Sequence, residues 1–574
     1  MTQTSTPPAP APAPAKGVPR RVIHATAIHS RSLTEIDYIH GALIGVDETG
    51  VIAFLEREVA SDEVREIVVK HGWSLDDGTT QLVSLGKGEF VIPGLIDTHT
   101  HAPQHINASF GQQYELLDWL KHVTFPAEAR FKDPKYARST YEGVVQRVIN
   151  SGTTTCCWYG TLHMTTKVLA AICHRKGQRA LVGKCNMDRN SAPDYQEESA
   201  AKSLADTEEY VAFVREHCSS ALAGAGNQNL SSLVQPILTP RFAISCTDRV
   251  LQGLGEMMDR DPDLPLQTHL AENPAEIEFT KSLYPSIPTY TAVYDHFKLL
   301  RSNTILAHCV HLDESELDLI RRREAGVSHC PNSNFNLRSG TSRVADMLDK
   351  GIKVGLGTDV SGGTAIGILS AIRSASTCSK TIIFTDRAAG ATPRSSSSSS
   401  SSAPAAAEQP RDDQTTVKSP DGQQRRAGFF ASSHLTLETL FYLATVGGAQ
   451  LCRLEHRVGS FEVGKEFDAL LIETGQQRNS LDGSGGEIID DDDGDDDDDD
   501  DEALLALQGR EDEVSKGSTF PRVDEGFNPS LLIEPDEPVE RVFEKFLFAG
   551  DDRNIGTVFV RGRVIGGARP IGSR

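Results

Sequence analysis

From Val91 onward the chain repeats one pattern: a short apolar run, a polar end rich in His, Asp or Arg, then a stretch of helical spacing. There are eight such runs: VIPGLIDTHTH (91–101), TTTCCWYG (153–160), ALVGKCNMD (180–188), VQPILTPRF (234–242), LPLQTHLAE (264–272), TILAHCV (304–310), GVSHCPNSN (326–334) and IKVGLGTDV (352–360). Strands buried on both faces read as continuous apolar runs, and parallel neighbours need crossover helices between them. Stretches such as ELLDWLKHVTFPAEARF and YEGVVQRVIN have the period for those helices. The pattern predicts an α/β fold, a (β/α)8 TIM-like barrel over residues 91–455, with its chemistry at the C-terminal strand ends.

The flanks read differently. Residues 21–90 contain short alternating runs such as VIHATAIHS and VIAFLE, and the last part of the chain contains DALLIE and TVFVRG. These predict a small composite β-sandwich domain built from residues 21–90 and 456–574. Residues 1–20 form a Pro/Ala-rich tail, expected to be disordered. Two low-complexity insertions are expected to be disordered too. One, at about 386–426, holds eight serines, Ser395 to Ser402; the other, at about 474–525, holds eleven Asp and one Glu between Asp490 and Glu502. Both have too few apolar residues to offset the entropy of ordering them.

The acidic run supplies about half of the net charge of -23, so that charge says little about the site. An acidic surface disfavours a nucleic-acid polymer as partner. No apolar run is long enough to span a bilayer, and the N-terminus lacks the apolar segment of a secretory signal. Ten cysteines without a Cys-x-x-Cys pair suit free thiols in a reducing compartment, and a cytoplasmic location is expected.

His99 and His101 end the first run, and on a strand both side chains point to one face. Alone, such a pair is better explained by ordinary core or surface histidines. It does not stand alone: His269 ends the fifth run, His308 the sixth and Asp359 the eighth. Barrel closure would gather all five around one axis. Imidazoles with a carboxylate suit a divalent transition metal, zinc by default, with iron left open by ligand type.

Glu272 follows His269 by three residues, where a proton shuttle is needed, although a carboxylate opening a helix explains that position equally well. Arg241 and Phe242 end the fourth run. A guanidinium fork with an adjacent ring could read a planar heterocycle, or form a structural ion pair beside a core Phe. The Gln104 amide lies near the barrel mouth, and His329 reads as structural. The Pro-Cys-x-x-Cys element of cytidine-type zinc deaminases is absent from the sequence.

The motifs PGLIDTHTH, HLAEN, GLGTDVSGG and VGSFEVGKEFDALLIE resemble the amidohydrolase superfamily. Longer ones resemble its guanine deaminase family: LLDWLKHVTFPAEARF, SGTTTCCWYGTLH, GQRALVGKCNMD, TPRFAISC, HCPNSNFNLRSG and KFLFAGDDRNIGTVFVRGRVI. The resemblance spans about residues 91–371 and resumes at about 435. It implies hydrolytic deamination of guanine to xanthine, one zinc ion per chain and a homodimer. It implies metal ligands at His99, His101, His269 and Asp359, with His308 as a further ligand or as the holder of the attacking water. Substrate contacts would fall on His101, Gln104, Arg241, Phe242, His269, Glu272 and Asp359. Glu272, Asp359 and His308 would be catalytic. A deaminase of another purine, a pyrimidine or a triazine is the alternative, and an inactive interaction protein on this fold is a more distant one.

Overall fold

The computed structural model describes residues 18–218, 232–389, 416–431, 434–474, 531–534 and 536–571. Most of the expected N-terminal tail, the serine run and the acidic run lie outside the described residues. The N-terminal strands are β1 (Arg20–Ser32), β2 (Glu35–Val46), β3 (Ile52–Glu56), β4 (Thr80–Ser84) and β5 (Phe90–Pro93). All eight apolar runs contain strand. They hold β5 and β6 (Leu95–His101), β7 (Thr153–Tyr159), β8 (Arg179–Gly183) and β9 (Cys185–Asn186), and β10 (Val234–Pro236) and β11 (Thr239–Pro240). The last four hold β12 (Leu266–Leu270), β13 (Thr304–His308), β14 (Gly326–His329) and β15 (Lys353–Leu356). A hairpin, β16 (Thr416–Lys418) and β17 (Gln424–Arg426), follows, then β18 (Ala469–Ile472), β19 (Ile555–Val560) and β20 (Arg563–Gly566).

The central strands pair in parallel in the orders β6-β7-β8-β10, β9-β11 and β12-β13-β14-β15. Hydrogen bonds cross the joints between these groups. Leu238 N donates to Pro265 O and Gln267 N to Leu238 O, both at 2.9 Å, and Asp359 N donates to His99 O at 2.9 Å. The eighth run thereby bonds back to the first. The helix Pro134–Asn150 shows how the local sequence sets the crossovers. Asp133 accepts from Lys135 N at 2.8 Å, Pro134 opens the first turn, and Tyr141, Val145, Val148 and Ile149 form the buried face.

The terminal segments make one mixed sheet, β20-β19-β18-β5-β1-β2-β3, with β4 paired to β1. Among the described residues these strands form one continuous hydrogen-bonded sheet of eight strands, whose ends approach each other where Val51 bridges Glu466. On one face the strands' own residues, among them Ile23, Ile44, Val91, Leu471 and Phe559, pack together, and on the other a helix covers them. Along β5, Phe90 and Ile92 face a core that holds Phe543 and Phe546 of the helix Val539–Ala549, while Val91 faces one that holds Phe461 and Phe467.

A buried charge network ties this sheet to the central strands. Arg179, opening β8, donates to Asp468 Oδ2 at 2.8 Å and to Glu466 Oε2 at 2.7 Å; Arg561 and Arg457 also donate to Glu466. Both ends of the stretch expected as a serine-rich insertion, about 386–426, fall in regular structure. The helix Ile368–Ala388 runs through its start, and β16 pairs with β17 near its end. Asp421 anchors that hairpin by accepting from Leu33 N at 3.0 Å and from Arg425 at 2.6 Å. Charge pairing orders a segment whose apolar content gives no sign of it.

Candidate active site

The strand ends bring the expected ligands together. His99 Nε2 and His101 Nε2 lie 3.2 and 3.3 Å from Asp359 Oδ1, and His308 Nε2 lies 3.7 Å from Asp359 Oδ2. His101 Nε2 is 3.2 Å from His269 Nε2. Ligand atoms of His99, His269, His308 and Asp359 all fall within 4.8 Å of one another. His101 borders the same centre. Two imidazoles are turned inward by their outer nitrogens: His269 Nδ1 donates to Arg241 O at 2.6 Å, and His308 Nδ1 meets Asn334 Oδ1 at 2.9 Å. Asp97, two residues before His99, accepts from the amides of His99 and Thr358 at 3.2 and 3.1 Å, which ties the first strand end to the eighth.

This packing is costly as it stands. His99 Nε2 and His308 Nε2 are buried without a hydrogen-bond partner. His308, Cys309 and Asp359 adopt positive φ angles of 72°, 49° and 47°, a region that side chains other than glycine disfavour. Burial and the neighbouring imidazoles hold His269 far below its ordinary range, and burial takes His101 to about 4, so both are in the neutral, ligating form. Burial would raise Asp359, but the surrounding histidines outweigh it and keep the carboxylate ionised. Neutral imidazoles, an ionised carboxylate and orphaned inward nitrogens fit a bound divalent transition metal.

A cavity, partly open to solvent, lies above this floor. Trp119, Leu116, Leu120 and Leu337 give it apolar walls, with Phe242 beside His269 at a ring separation of 6.3 Å. Glu272 faces into it. Its Oε1 accepts from Ser339 Oγ at 3.2 Å and its Oε2 lies 3.4 Å from His308 Nε2. Burial, then the Asp359 charge, pushes the Glu272 carboxyl well above the usual range. Glu276 accepts from the backbone amide of Glu272 at 2.8 Å and from Tyr290 OH at 2.9 Å, which fixes the loop that presents Glu272.

The polar wall consists of Arg241 and Gln104, and both are hydrogen-bonded to a residue that the sequence reading missed. Glu128, fully buried, accepts from Arg241 Nη1 at 2.8 Å, Gln104 Nε2 at 2.7 Å and Tyr195 OH at 2.6 Å. Burial alone would raise its carboxyl, but Arg241 more than compensates and holds it below the ordinary value. The ion pair considered for Arg241 is therefore present, in addition to its place on the cavity wall. Gln104 Oε1 accepts from Ser361 N at 3.2 Å, so part of the amide's capacity is already used. One signal for Glu128 existed. Leu116, Leu120, Thr124 and Glu128 fall at four-residue intervals, which puts a carboxylate on the buried side of a helical run. His329 is buried and neutral, its pKa pushed down by burial to about 3, and it stands outside the converging set.

The chain matches the model of the amidohydrolase family over residues 90–407 and 423–565. It is 36% identical over 551 residues to the guanine deaminase of Dictyostelium discoideum, covering 95% of this chain and 98% of that protein. The chain belongs to the guanine deaminase family of amidohydrolases. The family's human guanine deaminase is 32% identical, over 95% of this chain and 96% of its own. Among solved structures, the guanine deaminase of C. acetobutylicum, described with bound guanine in its active site, matches at a TM-score of 0.67 and 28% identity. That match covers 95% of this chain and 99% of the other. Family membership agrees with the resemblance carried by the motifs, and the mixed α/β arrangement is the amidohydrolase fold.

Proposed function

We propose that this chain hydrolyses guanine to xanthine and ammonia, on a closed (β/α)8 barrel holding one zinc ion. The observation that carries this reading is the facing of two polar groups across one cavity. Arg241 and Gln104, braced by Glu128, stand on one wall, and Glu272 stands over the His/Asp cluster. His99, His101, His269, His308 and Asp359 would hold the zinc. Bound there, it supplies a water acidified enough to attack at neutral pH.

The chain's own residues do the rest. Arg241 offers only donors, which suits the O6 and N7 acceptors of guanine. Phe242 packs against the ring and the apolar wall excludes bulk water. Glu272 delivers a proton to N3, which makes C2 electrophilic, then takes a proton back from the attacking water and passes it to the departing amine, so that ammonia leaves as the carbonyl at C2 forms. Asp359 and His308 orient the attacking water. The same reading, following the family resemblance, has the protein act as a homodimer. It also places the protein in the cytoplasm, in keeping with ten free cysteines, all buried. Among the described residues no helix is long and apolar enough to cross a membrane.

The test is a substrate panel with ammonia detection on zinc-loaded protein. Guanine should be turned over well ahead of adenine, adenosine, cytosine and triazines; equal or greater use of another base would overturn the assignment. A second test concerns the wall. Arg241→Lys keeps a charge near Glu128 but loses the planar fork. Acceptors left unpaired in a buried site cost about 1–3 kcal/mol, so kcat/KM for guanine should fall roughly 10–100-fold. Zinc content should stay at the level of the unaltered protein.

A further inference from the structure

Glu128 sits behind the cavity wall rather than on it, yet it binds both polar residues that face the substrate space. We propose that Glu128 is a specificity-determining positioning residue. By fixing which end of the Gln104 amide and which edge of Arg241 face the cavity, it selects a purine with a 6-oxo group over one with a 6-amino group. The inference rests on the reading of this site as a guanine deaminase and deepens it.

Hydrogen-bond polarity sets the orientation of both side chains. An ionised carboxylate offers acceptors only. Glu128 Oε1 takes the Gln104 amide nitrogen, and Oε2 takes Arg241 and the Tyr195 hydroxyl. The opposite end of Gln104 accepts from the Ser361 amide, which can only donate. Both neighbours therefore demand the same orientation, nitrogen toward Glu128 and oxygen toward Ser361. Arg241 is held from two sides, by Glu128 and by the Phe125 ring 5.4 Å from its guanidinium carbon, and Phe125 belongs to the same helical run as Glu128. The wall thus shows a fixed order of donors and acceptors.

Guanine offers an acceptor at O6 and a donor at N1. 2,6-Diaminopurine keeps the 2-amino leaving group but reverses that order, with a donor at C6 and an acceptor at N1. A wall that cannot turn its amide leaves donors facing donors, and a buried mismatch of this kind is strongly disfavoured.

The test compares guanine and 2,6-diaminopurine on the metal-loaded protein and on Glu128→Gln. In the variant, Arg241 and Tyr195 claim the new amide's oxygen, so its nitrogen points at the nitrogen of Gln104. Gln104 must then turn or lose its partner. kcat/KM for guanine should fall roughly 10–100-fold, mainly through KM, and the preference for guanine over 2,6-diaminopurine should shrink about tenfold or more. Metal content should be unchanged. The double variant Gln104→Glu with Glu128→Gln keeps the charge count beside Arg241 and shows the cavity only acceptors at position 104. It should move the preference further toward the 6-amino base. If guanine use falls while the preference stays constant, Glu128 is merely structural and the proposal fails. It fails equally if neither variant folds with its metal. Absence of guanine turnover in the unaltered protein would instead overturn the functional reading.

Discussion

Glu272→Gln is expected to lower kcat by about 10²–10⁴, the usual contribution of a positioned acid–base group, or more if one carboxyl serves two steps. The substitution keeps the size of the side chain and its contact with Ser339, but removes the titratable oxygen facing His308. Glu276 holds the backbone at Glu272, so the loop should not move. Guanine should still bind and zinc content should stay constant. The limb of the pH–rate profile that belongs to this carboxyl should disappear. Ammonia release, guanine binding and metal content measured on one preparation decide the matter. Near-normal turnover would sink the shuttle assignment, and loss of zinc would recast Glu272 as part of the metal's coordination.

Asp359→Ala is expected to lose metal and activity together. The Asp359 carboxylate is within 3.7 Å of three imidazole nitrogens, and it is the carboxylate of the four-residue cluster. Changes to residues that only support a ligand typically cost 10–100-fold in metal affinity, so removing a ligand should cost at least about 100-fold. The buried imidazoles would then face each other without an anion. Metal analysis after dialysis, with and without added zinc, measures the effect. Full zinc occupancy in Asp359→Ala would remove this residue from the coordination set.

The parts of this protein that could be read from its sequence share one physical cause. A parallel strand buried on both faces leaves an uninterrupted apolar run, and a reactive side chain at its end interrupts that run conspicuously. His99, His101, His269, His308 and Asp359 all stand at such ends, and the structure gathers them. Arg241 and Gln104 were legible as residues, but the hydrogen bonds holding them were not. Those bonds come from Glu128, which lies in a helical run where a carboxylate ordinarily faces water. Alternating strands in the terminal segments reveal covered faces without revealing what covers them. Here a helix with Phe543 and Phe546 covers one face, and the strands' own residues pack together on the other. The hairpin at β16 and β17 escaped notice because ion pairs, not apolar residues, hold it.

The pairing of β5 with β18 has a consequence for the order in which the molecule can be made. β5 is synthesised just before the first central strand, but its antiparallel neighbour begins at Ala469. On a ribosome, the open edge of β5 must wait while the strands leading to His99, His269, His308 and Asp359 are added. Arg179 waits equally long for Glu466 and Asp468. The nascent chain therefore holds the residues of the His/Asp cluster above an unfinished base. Contacts of such long sequence separation form slowly, and an unpaired strand edge invites intermolecular pairing meanwhile. During biosynthesis, the vulnerable interval of this enzyme ends only when its last strands emerge.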